Sequence, residues 1–192
     1  MPLPKPTRLG GLALMLGALI FSLTKARGYV DPNDSLLLYF MLVGFAAWLL
    51  GLAALYVRYA PISGKLGKTG LGMSFVGMVL LTVGHLFTFM SFVIGVDLFL
   101  LVILGVFGLM IGALLFGIAA LWRVVLPRWR ALPLVTGLMG AAWFLSSGSD
   151  DGSLTFGFMF FRTLFALGWL LMGFVLFSDR REVVEKLTPQ EV

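Results

Sequence analysis

Between Asp97 and Arg123 the chain runs for 25 residues, Leu98–Trp122, without a charged side chain. As a helix that run would be about 37 Å long at 1.5 Å per residue. The hydrocarbon core of a bilayer is about 30 Å thick, and about 20 apolar residues cross it. Five further stretches read the same way: Gly10–Thr24, Ser35–Val57, Gly70–Val93, Ala131–Ser147 and Leu154–Ser178. The first and fifth are short for a span, and snorkelling by Lys25 and Arg130 would extend them. Composition agrees: 60% of the 192 residues are hydrophobic and 12% charged, with mean hydropathy +1.03. A soluble domain has about a quarter of its residues charged. The expected fold is all-α: a polytopic membrane helical bundle of six transmembrane helices, forming one membrane domain over residues 1–192.

The basic n-region (Lys5, Arg8) and apolar core of the first stretch have the outline of a signal peptide. Thr24-Lys25-Ala26 makes a poor cleavage site, so the segment is read as a true span. The basic residues then set the orientation. With the N-terminus inside, Lys5, Arg8, Arg58, Lys65, Lys68, Arg123, Arg128, Arg130, Arg180, Arg181 and Lys186 are cytoplasmic. Only Lys25, Arg27 and Arg162 are not. This positive-inside bias predicts a multi-pass protein of the cell membrane with both termini cytoplasmic. Tyr56, Tyr59, Trp122 and Trp129 fall at the predicted inner interface, and Asp31, Asp34, Asp97, Asp150 and Asp151 fall outside. The net charge of +5 is spread between apolar runs. No nucleic-acid motif accompanies it, so membrane lipids are the expected surroundings and nucleic acid is not an expected partner.

An internal repeat is legible. Leu14-Met15-Leu16-Gly17-Ala18-Leu19-Ile20-Phe21 matches Leu109-Met110-Ile111-Gly112-Ala113-Leu114-Leu115-Phe116 at an offset of 95. At the same offset Pro32 meets Pro127 and Ala46-Ala47-Trp48 meets Ala141-Ala142-Trp143. One residue further, Gly77, Val79 and Leu80 meet Gly173, Val175 and Leu176. Repeat A would cover about residues 10–93 and repeat B about 98–178, followed by a short cytoplasmic tail, 179–192. Three spans per copy force opposite orientations, a 3+3 inverted-topology repeat of the kind found in transporters. Gly17, Gly77, Gly108, Gly112 and Gly173 are the expected helix-packing positions, because small residues let backbones approach closely in lipid.

Polar groups inside spans are few, and they are the functional candidates because lipid penalises them. His85, the one histidine, is in the outer half of the third span. Ser74, Thr82 and Thr88 fall within about 60° of it around the helix. Arg162 lies about two turns into the sixth span, with Trp169 and Gly173 on its face. The expected site is a small polar pocket in the outer half of the bundle. In it Arg162 supplies fixed positive charge, His85 donates a hydrogen bond or relays a proton, and Trp48 and Trp143 form apolar walls. The structural alternative has His85 bonding a carbonyl or a threonine across helices and Arg162 snorkelling to outer phosphates.

Several chemistries lack their residues. There is no cysteine, hence no disulfide or thiolate site, and one histidine is too few for a metal centre or bis-histidine haem. No catalytic residue, metal or cofactor is expected. Ser146-Ser147-Gly148-Ser149 is read as an exposed loop with Asp150 and Asp151 rather than a nucleophile. The expected function is non-enzymatic: binding or translocating a small, anionic or amphipathic molecule. One alternative is an accessory or scaffold subunit of a larger membrane complex, or a homo-oligomer. A weaker one is an intramembrane enzyme.

Overall fold

The computed structural model describes residues 5–26, 35–94, 99–123, 125–126, 129–146 and 156–178. These form six α-helices: α1 (Lys5–Ala26), α2 (Ser35–Tyr59), α3 (Gly64–Ile94), α4 (Phe99–Arg123), α5 (Leu132–Leu145) and α6 (Phe156–Ser178). Among the described residues there is no strand. Five helices are long and apolar enough to cross a membrane, so the chain is an integral, multi-pass membrane protein. The sixth, α5, has 14 residues, about 21 Å of helix. It starts sharply because Pro133 stands in its first turn, where the missing N–H is harmless.

Two helices begin earlier than the apolar pattern places them. α1 starts at Lys5 and α3 at Gly64, so Lys5, Arg8, Lys65 and Lys68 are helical. Hydropathy marks where a helix enters hydrocarbon; backbone hydrogen bonding carries it on into the polar zone. The α2–α3 reversal is tight. The Ile62 and Ser63 amides both donate to Tyr59 O. Gly64 then takes φ +67°, a conformation glycine enters without a Cβ clash.

Each helix packs on its neighbours in sequence, and α6 returns to α1, closing a ring of six antiparallel contacts. Arg8, Arg58, Lys65, Lys68, Arg123 and Arg130 therefore lie toward one end of the bundle. Glycines set the tightest seams. A Cβ on Gly77 would stand 2.6 Å from the Leu109 amide nitrogen and 2.8 Å from Gly105 O. One on Gly173 would stand 2.8 Å from Gly11 O. Gly17 lies against Gly44 O and Trp48, Gly108 against Gly77, and Gly112 against Gly70 and Ser74. With no hydrophobic drive between helices in lipid, such close backbone packing is a main source of association.

The core is aromatic. Phe21 of α1 meets Trp48 of α2 edge-on at 5.3 Å and Trp143 of α5 at 6.0 Å. Trp48 meets Trp169 of α6 at 5.9 Å, and Phe165 links Trp143 to Trp169 at 5.7 and 6.2 Å. All of these pairs are edge-to-face except Phe165 with Trp143, which is tilted, and aromatic pairs add about 0.5–1.5 kcal/mol each beyond area burial.

Candidate functional site

A cavity of about 370 Å³ occupies the end of the bundle remote from the basic one. Leu81 and His85 of α3, Phe99, Val102, Ile103 and Val106 of α4, Trp143 and Phe144 of α5, Phe158 of α6 and Phe21 of α1 line it. Five of the six helices contribute, so the cavity depends on ring closure. Its walls are apolar apart from one imidazole and one indole.

His85 is held by its own helix. Its Nδ1 lies 2.9 Å from Leu81 O. A carbonyl only accepts, so Nδ1 carries the proton and, in the neutral ring, Nε2 is the acceptor. The ring packs edge-on against Phe45 of α2 at 5.1 Å. The rest of the expected polar face disperses. Thr82 returns its hydroxyl to Met78 O at 2.8 Å. Ser74 is buried at the α3–α4 seam against Gly112. Neither lines the cavity. The side chain of Thr88 lies outside the described residues, as do Asp97, Asp150, Asp151 and Ser147–Ser149. Ser146 donates to Trp143 O at 2.8 Å.

Arg162 does not line the cavity and does not reach outward. It is 1% exposed. Its Nη2 donates to Phe21 O across the α6–α1 seam, and its guanidinium carbon stands 4.5 Å from the Phe21 ring centroid. The expected shared pocket thus becomes two compartments: a cavity holding His85, and a buried cation behind Phe21. Phe158 lines the cavity, and Arg162 is one turn deeper on the same face of α6. Cation and cavity are therefore separated by little more than one aromatic ring. Phe21, which the sequence did not single out, is the residue that both lines the cavity and contacts Arg162. Its partnership with Arg162 spans 141 residues, and no local pattern signals that.

The three tryptophans divide in the same way. Trp143 lines the cavity, whereas Trp48 and Trp169 are buried beneath it. The Nε1 atoms of all three, and the Nε of Arg162, have no hydrogen-bond partner among the described residues. No group of three or more potential metal ligands occurs among those residues. The chain matches no known family model, no curated protein and no solved structure.

Proposed function

We propose that this protein binds a small amphipathic molecule in the His85 cavity, and passes or presents it from the non-basic side of the membrane. The observation that carries the reading is the cavity itself: about 370 Å³, bounded by five helices. It is mostly apolar, with a polar imidazole fixed in orientation on one wall and a buried cation just beyond another. Ligand sites have this character, with apolar surroundings and a few placed polar groups. The role we propose is non-enzymatic.

The topology we propose is six spans with both termini cytoplasmic. It rests on the gathering of six described basic residues at one end and on the positive-inside bias. The short α5 would cross by thinning the bilayer locally. We further propose the inverted repeat, on the 95-residue offset and on the like contacts of Gly77 with Gly105 and Leu109, and of Gly173 with Gly11 and Met15.

The test is co-purification. Wild-type protein and Val106→Phe, which fills the cavity from α4, would be extracted in mild detergent and analysed by mass spectrometry. A small amphiphile retained by the wild type and lost from Val106→Phe supports the reading. Identical bulk lipid in both, together with a stoichiometric partner protein, would place the accessory-subunit role ahead of it.

A further inference from the structure

We infer that the molecule taken into this cavity carries an anionic end, which Arg162 and Trp143 bind once the Phe21 ring turns aside. The inference rests on the cavity being a ligand site and specifies the chemical class that the site accepts.

The first observation is an imbalance of charge. All nine Asp and Glu residues of the chain lie outside the six helices. The helices that bury the Arg162 guanidinium, 1% exposed, therefore bring no carboxylate of their own to it. Phe21 O accepts from one nitrogen, and Nε has no partner. Snorkelling does not explain the side chain, because it is enclosed by the ring of helices rather than extended along its surface.

The second observation is an imbalance of hydrogen-bonding roles. Trp48, Trp143 and Trp169 all leave Nε1 unpartnered, and all belong to the aromatic cluster that encloses Phe21. Indole N–H and guanidinium N–H only donate. The interior beside the cavity therefore offers several unpartnered donors, and the only acceptor that a side chain lining the cavity brings among the described residues is the His85 imidazole. A buried donor without an acceptor is costly. A carboxylate or phosphate oxygen accepts several such bonds and carries the counter-charge that the six helices do not bring to Arg162. A neutral hydroxyl end would leave the charge unmet.

The third observation is a route. The Trp143 side chain, itself more than nine-tenths buried, lines the cavity with its Nε1 unpartnered. The Phe21 ring lines the cavity on one side and faces the guanidinium carbon at 4.5 Å on the other. The Arg162 bond goes to the Phe21 backbone oxygen. A change of rotamer of the ring would therefore expose the cation without opening the α1–α6 clasp. The apolar body of the ligand would then fill the space between Val102, Val106 and Phe144.

The test compares two probes of equal chain length, decanoate and decanol. Each is titrated against the full chain in nanodiscs of zwitterionic lipid at a pH well above the carboxylate range, with protein-free discs subtracted. We expect decanoate to bind at least about tenfold more tightly than decanol, the order expected of a charge-assisted pair. Arg162→Gln should remove the preference for decanoate over decanol. Trp143→Phe keeps the wall and removes one donor. It should lower decanoate affinity a few-fold, which keeps the inference testable if Arg162→Gln does not fold. Equal binding of both probes by the wild type would overturn the anionic assignment while leaving the cavity reading standing. A decanoate preference untouched by both variants would also overturn it, by placing the anion elsewhere. Binding of neither probe would overturn the cavity reading and the inference together.

Discussion

Alanine at Gly77 and at Gly72 should act in opposite directions, although both glycines lie on α3 two turns or less apart. In a helix interior Gly→Ala by itself is worth about 0.8–1.0 kcal/mol. At Gly72 nothing opposes that gain, since the nearest atom to a new Cβ is Tyr56 Cε2 at 3.9 Å, an ordinary contact. At Gly77 the new methyl would stand 2.6–2.8 Å from three backbone atoms of α4. Ordinary carbon contacts lie near 3.5–4.0 Å, so α3 and α4 must separate by roughly an ångström. Backbone cannot rotate away as a side chain can. Overpacking of this kind costs about 1–3 kcal/mol, and here it opens the seam over several turns, so it outweighs the propensity gain. Gly77→Ala should therefore be net destabilised by about 1–2 kcal/mol, and Gly72→Ala neutral or stabilised by up to about 1 kcal/mol. Unfolding in dodecyl sulfate, followed by tryptophan fluorescence and far-ultraviolet circular dichroism, measures both. Equal midpoints, or a higher midpoint for Gly77→Ala, would refute close α3–α4 packing.

Three other outcomes follow from the site and the topology. Arg162→Ala should destabilise by about 2–4 kcal/mol through the void and the lost α6–α1 bond, whereas Arg162→Met, closer in volume, should cost under about 1.5 kcal/mol; the same unfolding assay separates them. His85→Leu should weaken binding of an anionic amphiphile a few-fold in a binding titration, because it removes the one imidazole from the cavity wall. Because the chain has no cysteine, single substitutions report topology directly. Ser149→Cys should react with an impermeant maleimide on intact cells, and Lys65→Cys only after permeabilisation.

The helices were legible in the sequence because lipid imposes one dominant rule, a sufficiently long apolar run, and Leu98–Trp122 satisfies it without ambiguity. Their ends were less legible. Gly64–Thr69 is too polar to read as hydrocarbon-spanning, yet it continues α3, since backbone hydrogen bonds do not stop at the membrane boundary. Gly77 and Gly173 stand where two backbones approach closely, the use that lipid gives to small residues at helical spacing. The division of the site was not readable. Helical spacing put Thr82 and Ser74 on the face of His85. It could not show that Thr82 satisfies itself on Met78 O or that Ser74 turns to α4. Arg162 was found as a buried charge, but its partner is a backbone oxygen on the first helix. A backbone acceptor has no sequence signature, and the contact exists only once α6 closes the ring on α1.

The most direct test of the ligand-site reading is an electron cryomicroscopy structure of the protein in nanodiscs formed from its native membrane, without added detergent. We expect non-protein density between His85, Val106, Trp143 and Phe158, with its polar end against Arg162 and the Phe21 ring displaced. A collapsed space filled by Phe144 and Val106, with Arg162 reaching the headgroups and no density beside His85, would contradict it.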